Sequence, residues 1–206
     1  MINYIVIPLG EILSDEFDQK SIEESLKKFS CQLETDLEDF LSNKAILYEK
    51  SNFGKTFLII DEEKLKKQHV FTVMAYFTIA QKSLDISKIS GKKKRAILGA
   101  YPGREKLNSI STYLIGQLGR CDTYTKDMID GQTILNECYY AISLAARIVG
   151  GNLVVLECRE CMYDKFYERK GFLKLDTELN EKSLFTLYKK VDFKIFWSKK
   201  IADNVS

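Results

Sequence analysis

Residues 166–172 read Phe-Tyr-Glu-Arg-Lys-Gly-Phe, and this segment decides how the rest of the sequence is interpreted. Its aromatic pair, Phe166 and Tyr167, lies in the second half of a helix predicted over residues 162–170. Gly171 closes that helix, because glycine readily adopts the left-handed conformation found just after many helices. An apolar strand begins directly after the glycine. On these grounds alone, an aromatic-packed helix and a functional turn are equally well supported.

A strand–helix–strand unit precedes this segment. Residues 153–158 form a continuous apolar run, which is typical of a strand covered on both faces. Upstream, apolar residues recur at helical spacing through residues 131–151, and the glycine pair at 150–151 ends that helix. Residues 111–121 are predicted to form the strand before it. Two strands joined by a helix in this way pack as a right-handed parallel unit.

Further strands are predicted on both sides of this unit. Their alternating or β-rich runs cover residues 2–9, 56–60, 70–80, 172–175 and 184–191. A helix is predicted from residue 35, and Asn52-Phe-Gly54 closes it. The polar stretch 62–68 is interpreted as an exposed connection. This order predicts the α/β class, with a mixed central β-sheet and flanking helices. Two prolines and no low-complexity linker favour one domain over residues 1–206.

The turn before the long helix is the first candidate binding site. Residues 122–133 read Asp-Thr-Tyr-Thr-Lys-Asp-Met-Ile-Asp-Gly-Gln-Thr. The start of a helix presents N–H groups without intrahelical partners and therefore attracts anions. Gly131 permits a phosphate to approach closely, and Lys126 adds positive charge. The segment has neither the P-loop nor the dinucleotide-binding glycine pattern, so nucleotide hydrolysis and a dinucleotide fold lack support.

Composition excludes several classes of function. With 31 Lys and Arg against 29 Asp and Glu, the net charge is +2, unlike the basic balance of dedicated nucleic-acid binders. His69 is the only histidine and is predicted to be exposed, which leaves little basis for a histidine-rich metal site. The sequence Cys158-Arg-Glu-Cys161 lacks the second ligand pair that zinc requires. The sequence therefore predicts no metal.

The sequence gives weaker indications about compartment and surface. The N-terminus lacks the features of a signal peptide, and no apolar window approaches the ~18 residues of a membrane span, so a cytoplasmic protein is predicted. The run Lys92-Lys-Lys-Arg95 lies in the least regular region, residues 83–108. It is interpreted as a solvated face or loop, with contact to an RNA backbone as the alternative.

Together and in this order, the elements resemble the GNAT superfamily of N-acetyltransferases. The family's FYxxxGF segment is matched by residues 166–172, and its Q/R-x-x-G-x-G/A phosphate motif falls on residues 126–131. Lys126 replaces the motif's Gln or Arg, and Ile129 replaces its first glycine. The N-terminal half, including Ala75-Tyr-Phe-Thr-Ile-Ala80, is similar to the branch containing toxins of toxin–antitoxin systems that acetylate aminoacyl-tRNA.

The resemblance implies acetyl-CoA as co-substrate, held between the strands at 113–121 and 153–158. Backbone groups of the first strand would pair with the pantetheine arm as an added strand does. The following turn would hold the pyrophosphate, and Phe166 would line the cleft. The implied cofactor-binding residues are Leu118, Gly119, Arg120, Lys126, Asp130, Gly131, Gln132, Thr133 and Phe166.

The resemblance also implies the catalytic residues. Tyr167 would protonate the leaving thiolate, since a phenol with a pKa of about 10 keeps its proton at neutral pH. Glu157, at the end of a buried strand, is the candidate general base. A carboxylate at a strand end is as often held in a salt bridge or solvated, and both interpretations of Glu157 remain open.

The expected reaction is transfer of an acetyl group to a primary amine. The resemblance leaves a protein, a small molecule and an aminoacyl-tRNA open as acceptors. It also leaves open a homodimer, a tRNA partner and an antitoxin partner, while no membrane is expected. The alternative function is a non-catalytic acyl-CoA-binding or partner-binding module that retains the fold, which the altered phosphate motif at Lys126 and Ile129 favours.

Overall fold

A computed structural model describes residues 2–14 and 19–197 of the chain. The strands are β1 Tyr4–Pro8, β2 Lys55–Asp61, β3 Val73–Asp85, β4 Ser109–Arg120, β5 Leu153–Cys158, β6 Leu173–Lys174 and β7 Phe185–Lys190. The helices are α1 Leu9–Ser14, α2 Gln19–Lys27, α3 Thr35–Asp39, α4 Ala45–Lys50, α5 Glu62–Gln68, α6 Gly91–Leu98, α7 Gly131–Val149 and α8 Glu160–Met162.

The seven strands form one mixed sheet in the order β1-β2-β3-β4-β5-β7-β6. β4 pairs in parallel with β5, with Tyr113 opposite Val154 and Ile115 opposite Leu156, and α7 connects the two strands. β7 pairs antiparallel with both β5 and β6, and β2 pairs antiparallel with β1 and β3. The predicted α/β class, mixed sheet and parallel strand–helix–strand unit are thus confirmed.

The chain divides into two compact units, each described separately. The first holds residues up to 80 together with residues 116–141. Its core centres on Tyr76, which is fully buried. Phe40 stacks on the Tyr76 ring at 6.4 Å between centroids, Phe29 meets it edge-on at 5.1 Å, and the Tyr76 hydroxyl donates to the Leu37 carbonyl at 2.7 Å.

The second unit holds residues 81–115 and 142 onwards. Its core is an aliphatic cluster that also includes one tyrosine: Leu84, Ile86, Ile89, Ile97, Leu153, Val155, Leu175 and Tyr188. Phe193, which follows β7, packs on this unit: it is buried edge-on against Tyr113 of β4 at 5.9 Å between centroids. The prediction of a single domain over residues 1–206 stays a prediction.

Three segments differ from their predicted form. The connection predicted over residues 62–68 is helix α5, because Asp61 Oδ1 accepts from the Lys64 N–H at 3.1 Å and caps it. The helix predicted from residue 35 to the Asn52-Phe-Gly54 stop contains a π-helical turn, Phe40–Lys44, between α3 and α4. The basic run of residues 92–95 lies on α6, whose first turn is capped by Ser90.

No helix in the described ranges is both long enough and apolar enough to cross a bilayer.

Candidate functional site

The connection from β4 to α7 contains the predicted phosphate turn. Asp130 caps α7: its Oδ1 accepts from the Thr133 N–H at 2.7 Å, and its carbonyl accepts from the Ile134 N–H at 3.2 Å. The N–H groups of the first helical turn have no partners within their own helix. Since Asp130 satisfies those of Thr133 and Ile134, the donors of this turn that can meet an anion are the N–H groups of Gly131 and Gln132.

Ile129 occupies the position of the family's first glycine and is completely buried. Its φ angle is not positive, so this position does not require a glycine. Arg120 Nη1 donates to the Ile129 carbonyl at 3.0 Å, which ties the end of β4 to the turn. Lys126 is exposed, and Gln132 Nε2 donates to Asn136 Oδ1 at 2.8 Å. The turn thus has a packed side and an accessible side.

Gly119 on β4 has a packing role that sequence reasoning did not identify. The glycine is buried, and a Cβ built on it would lie 2.5 Å from Leu37 Cδ1 of α3. At Gly116 an added Cβ would lie 2.8 Å from Thr78 Oγ1. At both positions, any side chain larger than that of glycine would force the neighbouring side chain to move. The neighbouring Leu118 is half-buried, and its proposed pairing with pantetheine remains untested.

Tyr167 lies in a π-helical turn, Tyr163–Tyr167, and is 7% exposed. Single π turns inside helices occur frequently at functional sites. The Tyr167 ring meets the rings of Phe166 and Phe172 edge-on, with centroids 5.0 Å and 5.4 Å away. Gly171 ends the helix with φ 78°, as the sequence predicted. The aromatic pair therefore both packs the helix and holds the phenol in one orientation.

Glu157 forms an ion pair that the sequence left as one of two alternatives. Lys82 Nζ of β3 lies 2.6 Å from Glu157 Oε1, and both side chains are partly exposed. Thr112 Oγ1 donates to the Lys82 carbonyl at 2.8 Å, which fixes the lysine backbone beside β4. Since Lys82 is 75 residues away in sequence, no local pattern identifies it as the partner. The general-base role of Glu157 stays a prediction.

The basic run on α6 is partly used within the protein. Lys93 Nζ donates to the Leu175 carbonyl, and Lys94, 6% exposed, donates to the Leu107 carbonyl at 2.9 Å. Lys92 and Arg95 are exposed. The predicted solvated face therefore holds for two of the four residues.

His69 is exposed with φ 55° after α5. Over the described ranges, no cluster of three or more His, Cys, Asp or Glu residues could hold a metal ion.

The predicted site residues fall in both units. Residues 118–120 and the turn up to Thr133 belong to the first unit, while Glu157, Phe166 and Tyr167 belong to the second. The assignments of all these residues to cofactor binding or catalysis remain predictions. Sequence reasoning missed Lys82 and Leu37, because their partners, Glu157 and Gly119, are distant in sequence and come close only in the folded chain.

Comparison with known proteins gives matches in structure. No protein-family model matches the chain, and no curated protein matches it. A crystal structure of a bacterial toxin has a TM-score of 0.71 and 15% identity, covering 97% of this chain and 96% of that one. The AtaT–AtaR complex bound with acetyl-CoA has a TM-score of 0.67 and 16% identity, covering 95% and 98%. AtaT complexed with acetyl-methionyl-tRNAfMet has a TM-score of 0.63 and 16% identity, covering 99% and 100%.

The match extends over nearly the whole length of each chain, so it includes the N-terminal half. At 15–16% identity it establishes the fold. The chain thus shares its fold with these toxin structures, and the predicted resemblance is confirmed at the level of the fold.

Proposed function

We propose that this protein is an N-acetyltransferase that transfers the acetyl group of acetyl-CoA to a primary amine. The observation that carries the proposal is Tyr167, buried on a π turn within the Phe166–Phe172 segment of a GNAT fold. Structures with this fold include AtaT with acetyl-CoA and AtaT with acetyl-methionyl-tRNAfMet. Tyrosine-to-phenylalanine mutants of AtaT and KacT are also among the similar structures.

The residues of the β4–α7 turn fit an acyl-CoA pyrophosphate. At the start of α7, the N–H groups of Gly131 and Gln132 are available to bind an anion. The exposed Lys126 adds a positive charge beside them. Backbone groups of Leu118 and Arg120 would pair with the pantetheine arm. The Asp130 carboxylate opposes this arrangement by its charge, but it is already engaged as the helix cap.

Two side chains move protons in the proposed reaction. Acetyl-CoA supplies a thioester, whose carbonyl carbon forms a bond with the amine nitrogen as its C–S bond breaks. Glu157 accepts the proton that the amine loses, through the carboxylate that Lys82 orients. Tyr167 donates the phenolic proton to the leaving sulfur, and solvent returns it. A backbone N–H stabilises the oxyanion that develops.

An aminoacyl-tRNA is the acceptor that we propose within the amine class. The support is the neighbour solved with acetyl-methionyl-tRNAfMet. The exposed Lys92 and Arg95 on α6 offer phosphate contacts, although Lys93 and Lys94 are engaged with backbone carbonyls. A toxin role with an antitoxin partner follows the same reasoning, since AtaT is solved bound to the antitoxin AtaR.

The test is acetyl transfer by the purified protein, followed as release of free CoA thiol. The acceptors are aminoacylated tRNA, deacylated tRNA as its control, and a panel of small amines and peptides. Tyr167→Phe should lower the turnover number about 100-fold while CoA still binds, because general acid catalysis is worth about 10²–10⁴-fold. Tyr163→Phe, on the same π turn, is the matched control and should keep its turnover.

The same pair of variants tests the toxin role in cells. Expression of the wild type should arrest growth, and Tyr167→Phe should relieve the arrest. Normal growth with the active wild type would overturn the toxin role alone.

A non-catalytic acyl-CoA-binding module is the second candidate. It is favoured by the ion pair with Lys82, which already engages Glu157, the proposed general base. Tight CoA binding without turnover on any acceptor would support this candidate and overturn the enzymatic proposal.

A further inference from the structure

Tyr124 lies in the middle of the β4–α7 connection and is 3% exposed. Nothing in the family motif points to it, since it precedes the phosphate motif by two residues. Its hydroxyl donates to Asp61 Oδ2 at 3.0 Å. Asp61 ends β2 and is 4% exposed, so the hydroxyl reaches a carboxylate that is almost wholly removed from water.

Lys64 completes the arrangement. Its Nζ donates to the Tyr124 hydroxyl at 3.0 Å and lies 3.8 Å from Asp61 Oδ2, while its N–H donates to Asp61 Oδ1 at 3.1 Å. Nζ also lies 4.9 Å from the centre of the Tyr124 ring. Asp61, Lys64 and Tyr124 are called the Asp61 cluster below. A buried carboxylate is costly without partners, so each member depends on the others.

The protonation states agree with this geometry. Burial raises the pKa of Tyr124, so the phenol keeps the proton that it donates to Asp61. The hydrogen bond to Tyr124 raises the pKa of Lys64, so the lysine stays a cation over the physiological range.

The rest of the connection is anchored on both sides of Tyr124. On one side, the Asp122 N–H donates to the Ser30 carbonyl at 2.8 Å. On the other, Met128 accepts from the Ile2 N–H at 3.3 Å, and Ile129 is buried and accepts from Arg120. The connection has no helix or strand between β4 and α7, so side chains and isolated backbone bonds determine its path.

We propose that Tyr124 is a positioning residue for acyl-CoA, which it serves by fixing the β4–α7 connection on the Asp61 cluster. The cluster holds the connection in the path that places the Gly131 and Gln132 N–H groups and Lys126 around the pyrophosphate. It thereby supplies the rigidity of the phosphate turn, in which Ile129 stands at the position of the family's first glycine. The inference rests on the proposed function, because the pyrophosphate belongs to the proposed co-substrate.

The experiment compares a ligand with a pyrophosphate and a ligand without one. Tyr124→Phe keeps the ring and removes the hydroxyl that binds Asp61. We expect the Kd for CoA, measured by calorimetry, and the KM for acetyl-CoA to rise about 10-fold, with the turnover number at saturation unchanged. With S-acetylpantetheine, which lacks the pyrophosphate, kcat/KM should stay at the wild-type value.

Tyr4→Phe is the matched control. The Tyr4 hydroxyl also donates to a carboxylate, Glu137 Oε1 at 3.0 Å, but that carboxylate lies on α7, outside the connection. This variant should bind CoA as the wild type does. If Tyr124→Phe does not fold, Lys64→Met replaces it as the test variant. Lys64 is partly exposed, and this change removes the cation that donates to the Tyr124 hydroxyl. The CoA Kd should then rise about 3-fold.

The outcomes separate this inference from the proposed function. An unchanged CoA Kd in folded Tyr124→Phe, or in Lys64→Met when that variant is used, would overturn the positioning role and leave the proposed function standing. An equal loss with CoA and with S-acetylpantetheine would also overturn it, because a general loss of structure would then be the cause. A wild type that binds no CoA would overturn the proposed function and the inference together.

Discussion

Glu157 and Lys82 form an ion pair whose contribution to stability can be measured separately from the catalytic role proposed for Glu157. Lys82 Nζ and Glu157 Oε1 are 2.6 Å apart, but both side chains retain access to water. Solvent screening and side-chain entropy limit the stability contributed by such a pair to about 0–1 kcal/mol. Replacing either residue should therefore disturb folding little. A large effect on turnover would report on proton transfer instead.

Replacing Glu157 by Gln tests the general base directly. The amide keeps the size and an oxygen that can accept from Lys82, but it cannot take a proton from the substrate amine. We expect turnover at pH 7 to fall about 100-fold. The rate should recover as the pH rises, because a growing fraction of the amine is then already neutral in solution. A pH–rate profile under saturating acetyl-CoA measures both effects.

Lys82→Met is the control for the ion pair. It should leave the urea unfolding midpoint close to that of the wild type, and its loss of turnover should be smaller than that of Glu157→Gln. Equal turnover in Glu157→Gln and the wild type would assign the carboxylate a purely structural role.

At the scale of elements, the sequence predicted those parts of the fold that rest on unbroken patterns. The apolar run of β5 and the helical spacing of α7 depend on neighbours in the chain, so both elements appear where expected. The π turns at Phe40–Lys44 and Tyr163–Tyr167 were not predicted, because one extra residue in a helical turn barely alters apolar spacing. Helix α5 was missed because its charged residues carry no apolar stripe.

The candidate site was predictable only where a motif marks it. The FYxxxGF segment pointed to Tyr167 and the phosphate motif to Gly131, since both are contiguous in sequence. Contacts outside these two segments join distant positions: Lys82 meets Glu157 across 75 residues, and Asp61 meets Tyr124 across 63. Such pairs are products of sheet topology, which no single local pattern encodes.

Packing between α3 and β4 gives a prediction for Gly119. A Cβ at this position would lie 2.5 Å from Leu37 Cδ1 and 3.4 Å from Leu37 Cγ, so Gly119→Ala forces the leucine to move. We expect a loss of about 1–3 kcal/mol in the free energy of unfolding, as overpacking usually costs. Urea unfolding followed by circular dichroism measures this change.

Leu37→Ala provides the comparison for Gly119→Ala. The double variant should be less destabilised than the sum of the two single variants, since the smaller residue 37 leaves room for the new Cβ. Strict additivity would show that Leu37 is not the obstacle.

For the molecule as a whole, buried phenols predict how stability depends on alkaline pH. Burial raises the pKa of six tyrosines: Tyr4, Tyr76, Tyr113, Tyr124, Tyr163 and Tyr188. In the unfolded chain these phenols lose their protons near pH 10, while the folded protein retains them. Above that pH the folded state binds more protons, so stability falls as the pH rises. The stability that these raised pKa values contribute is therefore fully present below about pH 10.

The urea midpoint should therefore be lower at pH 11 than at pH 8. Tyr188→Phe removes one buried phenol from the core of the second unit and should lessen the drop, because its hydroxyl can no longer ionise on unfolding. Tyr101→Phe, at a position that is 55% exposed, should show the same drop as the wild type. Equal midpoints at the two pH values would contradict this account, since they require the folded protein to release the protons of these six phenols as readily as the unfolded chain does.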